Sequence, residues 1–187
     1  MLREALTKYR ETLAEDRRVL LDRYRLVDAA IKVVSIGSVG TLRMVALMMS
    51  DADSPLFLQV KQANASVLEA YAGKSVYAQH GERVVQGQRL MQPASDSFLG
   101  WVIGPESRHF YLRQLRDVKL SPLVETYDVE MLSIYGKACG WVLARAHAKA
   151  GGPWAISGYL GKSDQFDEAM GKFALAYADQ PSGTTQH

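Results

Sequence analysis

A glycine-bearing turn followed by a strand that ends in a lysine could hold phosphate groups. Two short apolar runs are joined by a turn that contains Gly37 and Gly40, and a third apolar run, 56–61, ends in Lys61. Backbone N–H groups in such a turn can approach phosphate oxygens because glycine has no Cβ. A lysine ammonium is a mobile point charge that can neutralise a phosphate. The combination predicts a polyphosphate site.

Each part of this pattern also has a simpler interpretation. Two glycines in a hairpin are common in ordinary turns, and a lysine at a strand end is usually exposed. An acid on a following helix, Glu82 or Glu69, could pair with Lys61, or it could be an ordinary first-turn acid that the helix dipole stabilises. Arg113 and Arg116 could contact an anion, although arginines at strand ends are more often solvated.

The composition limits the classes of protein that fit. The chain has 187 residues and a net charge of only +2, which argues against a broad nucleic-acid surface. No apolar run approaches the ~20 residues of a membrane span, and the first residues do not form a signal peptide. The single cysteine, Cys139, favours a reducing compartment. We therefore expect a cytoplasmic protein that binds neither nucleic acid nor membranes.

The apolar periodicity predicts an α+β fold with about five antiparallel strands. An N-terminal amphipathic helix comes first, and residues 24–31 connect it to the sheet. The predicted helices are 2–24, 81–92, 128–149 and one that begins at 163 or 164; the predicted strands are 33–36, 42–47, 56–61, 97–103 and 109–115.

The long helix at 128–149 carries three local predictions. Asp128 is placed to cap its first turn. Gly136 and Gly140, four residues apart, suggest close packing against another helix. Cys139 lies in the apolar pattern of the helix, so a buried, inert thiol is predicted.

Several catalytic motifs are absent from the sequence. The four histidines are scattered and join no cysteine or acid at metal-ligand spacing. There is no phosphate-binding loop of the Gly-x-x-x-x-Gly-Lys type and no nucleophile elbow. The sequence therefore predicts no catalytic residue and no metal ligand.

Longer strings resemble a bacterial family, the domain of unknown function 2252. The strings lie at 22–28, 34–41, 57–61, 80–91, 111–117 and 159–164. The order of glycine hairpin, lysine strand, helix, second hairpin and long helix is also similar to the small lobe of protein-kinase-like folds. The segment 140–148 is similar to the corresponding helix of aminoglycoside phosphotransferases.

This resemblance implies an ATP site and a division of the chain. The implied cofactor-binding residues are Gly37, Ser38, Val39, Gly40, Thr41, Lys61 and Glu82. The expected parts are an N-terminal helical segment (1–31), a nucleotide-binding lobe (32–118), a helical part of the large lobe (119–180) and a disordered tail (181–187).

The resemblance also implies that something is missing. Family members are longer, and their catalytic and metal-binding motifs precede the equivalent of Met1. The expected function is thus an incomplete nucleotide-binding portion of a kinase-like phosphotransferase, with Mg²⁺ only where the acidic loops are supplied. The alternative is a non-catalytic interaction module or truncated remnant that associates with a partner chain or with itself.

Overall fold

The computed structural model describes residues 2–32, 40–116 and 121–180. These residues form an α+β fold in which helices come first, a sheet follows and a helical part ends the chain, as the sequence predicts. The helices are α1 (Leu2–Glu11), α2 (Glu15–Leu21), α3 (Glu69–Ala72), α4 (His80–Met91), α5 (Val129–Ala150), α6 (Pro153–Leu160) and α7 (Gln165–Ala178). The strands are β1 (Tyr24–Ile31), β2 (Arg43–Ser50), β3 (Pro55–Gln62), β4 (Gly100–Ile103) and β5 (His109–Gln114).

The five strands form one antiparallel sheet in the order β1-β2-β3-β5-β4. A β-bulge between Leu26 and Asp28 interrupts the pairing of the edge strand β1. Bulges at sheet edges hinder pairing with other chains. The five strands of the described residues confirm the predicted number of about five.

The start of the sheet differs from the prediction. Residues 24–31, predicted to be a connector, form β1, and Tyr24 and Leu26 pack against the core at alternate positions. The predicted strand 33–36 lies outside the described residues. The predicted helix 2–24 is two helices, because the Thr12 hydroxyl bonds to the Tyr9 carbonyl and accepts from the Trp101 backbone N–H.

The main core lies between one face of the sheet and the helices α1 and α2. Side chains from alternate strand positions meet the apolar faces of the two helices, since successive residues in a strand point to opposite faces. The buried members of this core are Tyr9, Leu13, Leu21, Ala46, Met48, Leu56, Leu58, Phe98, Val102, Phe110 and Leu112. The intervening strand positions, which include Gln59 and Lys61, point to the other face.

Helix α4 confirms the helix predicted at 81–92 and packs against β4 and β5. Gly81 lies directly against the backbone carbonyl of Phe110, where a Cβ would have no room. At the other end of the helix, Arg89 donates to the Leu99 carbonyl at 2.7 Å, and its guanidinium lies 5.7 Å from the centre of the Trp101 ring. Both ends of α4 are therefore fixed to the sheet.

The C-terminal helices α5–α7 bury a much smaller share of their side chains than α1, α2 and α4. Ala146 is the one buried residue in α5–α7, and Lys149 joins α5 to the end of α4 by donating to the Gln92 carbonyl at 2.6 Å. Large apolar side chains of these helices are exposed, among them Trp141, Leu143, Trp154, Tyr159, Phe173, Leu175 and Tyr177. The sequence patterns do not predict α6.

Two packing predictions for α5 are wrong, and its cap is confirmed. The Asp128 side chain accepts from the Met131 backbone N–H at 2.8 Å. Nothing lies within 4 Å of a Cβ built on Gly136 or Gly140, so these glycines do not mark close helix packing. Cys139 is exposed. Both predictions fail for the same reason, because little of the described structure packs against the apolar stripe of α5.

Candidate functional site

One row of side chains crosses the sheet on the face opposite the main core. Arg43 on β2 is directly opposite Lys61 on β3. The next pair in the row is Lys61 and Tyr111, and the last is Tyr111 and Trp101. Directly opposite residues of antiparallel strands point to the same side, with Cβ atoms roughly 4.5–5.5 Å apart. The fold therefore places Lys61 beside a second cationic residue.

The Tyr111 hydroxyl lies among cationic side chains. Burial raises the pKa of Tyr111, and the positive charges of Arg113 and Arg43 act in the opposite direction. The strand register places Arg43 and Arg113 on the same face of the sheet as Tyr111 and Lys61. Three cationic residues therefore share this face.

The residues that flank the glycine turn, Lys32 and Leu42, lie at the same end of the sheet as Arg43 and Lys61. The backbone N–H of Lys32 donates to the Arg43 carbonyl at 2.9 Å, and the N–H of Leu42 donates to the Gln62 side chain at 3.0 Å. Gly40 has a φ of 77°, a left-handed conformation that glycine adopts without a Cβ penalty. These bonds bring the base of the turn level with Arg43 and Lys61.

The predicted turn residues are only partly visible. Gly40 and Thr41 are described, and Gly37, Ser38 and Val39 lie outside the described residues. The approach of their N–H groups to a ligand therefore stays a prediction.

Of the two candidate acids, Glu82 is the one on α4, the helix beside the row. Its backbone N–H donates to the Gln79 side chain at 2.5 Å, an N-terminal cap, and its own side chain is partly exposed. Glu69 instead accepts from the nearby Ser66 N–H at 3.4 Å. The pairing of Glu82 with Lys61 therefore also stays a prediction.

The family of the chain follows from comparison with known families. A family model described as "Uncharacterized protein conserved in bacteria (DUF2252)" matches residues 1–184. The chain belongs to this family. The resemblance read from the sequence is thereby confirmed at the level of the family. No curated protein and no solved structure shows a match.

Sequence reasoning missed Arg43 and Tyr111 as parts of the row. Their signal is alternation: Arg43 shares strand parity with Val45 and Leu47, so it faces away from the core that contains Ala46. Strand pairing was needed to see that it lies opposite Lys61. A single sequence does not give the register of two strands joined by an irregular turn.

Within the residues that the structure describes, no group of three or more His, Cys, Asp or Glu side chains could hold a metal ion. His80 and His109, which are far apart in the sequence, lie next to each other in the fold with their ring centres 4.9 Å apart. None of the helices described here is long and apolar enough to cross a membrane.

Proposed function

We propose that this chain supplies the nucleotide-binding part of a kinase-like phosphotransferase, with ATP as the nucleotide. The observation that carries the proposal is the pairing of Arg43 and Lys61 at the base of the glycine turn. Two cationic side chains at neighbouring strand positions can contact one polyphosphate together.

The residues fit a phosphate chain in two further respects. A turn with Gly37 and Gly40 can offer backbone N–H groups to phosphate oxygens. Arg43 can bind a phosphate through two parallel hydrogen bonds, while Lys61 adds a point charge. ATP bound here would have part of its negative charge neutralised and its phosphates oriented, which is one part of what a protein contributes to phosphoryl transfer.

Turnover is not proposed for the described residues alone. Phosphoryl transfer also requires a residue that orients the acceptor and acidic ligands for Mg²⁺. The family resemblance assigns these to motifs that precede the equivalent of Met1. The proposed activity therefore belongs to a protein that combines both parts, and the phosphate site alone is expected to bind ATP weakly.

The experiment compares ATP binding by the chain and three variants, using calorimetry at constant ionic strength. Lys61→Ala and Arg43→Gln should each weaken binding by about tenfold or more, ~1.4 kcal/mol, because each removes a charged contact to phosphate. Lys74→Ala is the matched control, since Lys74 is exposed in a loop and loses the same charge. Unchanged affinity in Lys61→Ala would overturn the proposal.

A second function has its own supporting observation. The helices α5–α7 expose many large apolar side chains, including Trp154 at 87% and Tyr159 at 80%. Contiguous apolar surface of this kind usually marks an interaction site. The chain would then be a non-catalytic module that associates with a partner chain or with itself through these helices.

Light scattering coupled to size-exclusion chromatography tests this second function. A dimer that Trp154→Glu converts to monomer would support self-association. A monomer that fails to bind an apolar dye would count against any association through α5–α7, because the apolar surface would then be covered within one chain.

A further inference from the structure

A cavity of about 300 Å³ lies between the C-terminal end of α4 and the end of β5. It is separate from the glycine turn, and most of its lining is polar. The residues that matter for its chemistry are Gln59 on β3, Gln88 and Gln92 from α4 and its cap, Asp96 in the following loop, and Arg113 and Arg116 at the end of β5. The volume suits a small molecule.

Hydrogen bonds hold the walls of this cavity in place. Asp96 accepts from the Phe98 backbone N–H at 2.8 Å through one oxygen and from the Gln114 N–H at 3.2 Å through the other. The Gln92 carbonyl accepts from Lys149 of α5 at 2.6 Å. The loop after α4 is thus tied to β5 and to α5, so the cavity is preformed.

Gln59 is the informative residue. Its side chain is buried, with 7% of the residue exposed, and it is the one buried polar residue among those described. The Nε of Arg113 donates to its Oε1 at 3.3 Å. Because an arginine can only donate, this bond places the oxygen of the amide, and not its NH₂ group, toward Arg113. Gln59 lines the cavity, so this NH₂ group can donate to a ligand there.

The Gln59 NH₂ group offers a donor to a ligand in the cavity, and the surrounding charges favour an anionic acceptor. Arg113 and Arg116 supply two positive charges to the lining, and Asp96 supplies one negative charge whose oxygens already accept from backbone N–H groups.

We propose that this cavity binds a small hydrophilic molecule through an oxyanion group, a phosphoryl or a carboxylate. The oxyanion accepts from the Gln59 amide and from the guanidinium groups of Arg113 and Arg116. The side-chain amides of Gln88 and Gln92 bind neutral polar groups on the rest of the molecule. This site does not depend on nucleotide binding at Lys61.

The two sites can be told apart although they share one face of the sheet. Gln59 precedes Lys61 by two residues on β3, so their Cα atoms are roughly 7 Å apart. Gln59 is opposite Arg113, whereas Lys61 is opposite Tyr111 and Arg43. Variants of Gln59 or Arg113 should therefore weaken binding of the small oxyanion, and variants of Lys61 or Arg43 should weaken binding of ATP.

The test measures binding of inorganic phosphate and of malonate to the full chain by NMR, at constant ionic strength. Phosphate represents a phosphoryl group and malonate a carboxylate. The side-chain NH₂ signals of Gln59, assigned by their loss in Gln59→Met, should shift on addition of at least one of the two anions. Arg113→Gln and Arg116→Gln should each weaken the binding about tenfold.

The controls separate this site from general charge effects. Arg25→Gln removes the same charge from the exposed part of the edge strand β1 and should leave the affinity unchanged. Lys61→Ala should also leave it unchanged. Arg116 is exposed at the end of β5, so its replacement remains informative if Arg113→Gln does not fold.

Three results would overturn the proposal. The first is that the Gln59 signals shift with neither anion up to tens of millimolar. The second is that Arg25→Gln weakens binding as much as Arg116→Gln, which would mean that the anion responds only to net charge. The third is that binding is lost in Lys61→Ala and kept in Arg116→Gln, which would place the anion at the row instead.

Discussion

The phenolic hydroxyl of Tyr9 donates a 2.5 Å hydrogen bond to the backbone carbonyl of Phe98. The two residues are 89 positions apart in the chain, and the bond joins α1 to the loop that leads into β4. Tyr9 is fully buried, and burial raises the pKa of its hydroxyl. The hydroxyl thus stays protonated and donates throughout the ordinary pH range.

Replacing Tyr9 with Phe should lower the free energy of unfolding by about 1–3 kcal/mol, because the buried Phe98 carbonyl loses its donor. Urea titration followed by circular dichroism measures this change. Tyr71→Phe is the matched control: Tyr71 is 89% exposed, and its replacement should have almost no effect. Equal effects of the two variants would mean that the bond to Phe98 does not stabilise the fold.

The pairing of His80 and His109 predicts that stability depends on pH. Burial, and then the charge of His80, lower the pKa of His109 from 6.5. Its Nδ1 accepts from the His80 backbone N–H at 3.0 Å, which requires a neutral ring at that nitrogen. Near pH 6 the unfolded chain then binds more protons than the folded one, so stability rises with pH through 6.5 and falls as the pH drops below it.

This prediction is checked by urea unfolding at several pH values and by NMR titration of the His109 ring. His109→Asn keeps an acceptor without a titrating ring and should reduce the dependence. A His109 ring that titrates above 6.5 would contradict the argument.

The cap of α5 predicts local order at the start of the long helix. Asp128→Ala removes the bond to the Met131 N–H and should destabilise the first turn by about 0.5–2 kcal/mol. Faster hydrogen exchange at the Met131 amide measures it. Asp164 precedes α7 and makes no side-chain cap bond. Asp164→Ala is therefore the control, and it should change the hydrogen exchange of the amides in the first turn of α7 little. Unchanged exchange at Met131 in Asp128→Ala would show that the bond does not hold the turn.

Local patterns predicted the elements that depend on local signals. The apolar periodicity located α4, and Asp128 marked the start of α5. The edge strand β1 was missed because its exposed positions carry mixed residues and its bulge breaks the alternation. The break between α1 and α2 depends on Thr12 bonding to Trp101, a contact that no local pattern contains.

Part of the candidate site could likewise be predicted from local sequence, and part could not. Lys61 could be named from its position at the end of an apolar run. The neighbours that give it a chemical context, Arg43 and Tyr111, follow from strand register. The burial of Gln59 and the direction of its hydrogen bond from Arg113 are properties of packing and not of sequence.

Two glycines of α4 predict opposite effects of the same substitution. Gly81→Ala should destabilise the fold by about 1–3 kcal/mol or more, because its Cβ would collide with the backbone carbonyl of Phe110, which cannot move without disturbing β5. Gly87 has nothing within 4 Å of its Cβ position. Gly87→Ala should therefore stabilise by about 0.5–1 kcal/mol, since alanine is the better helix former.

Urea unfolding of the two variants tests how tightly α4 is seated. Because α4 lies beside the row that contains Lys61, the Gly81 variant should also shift the NMR signals of Tyr111, while the Gly87 variant should leave them in place. A Gly81→Ala protein as stable as the parent, with unchanged Tyr111 signals, would mean that α4 has room to move against β5. The close approach of Gly81 to Phe110 would then not be what seats α4 against the sheet.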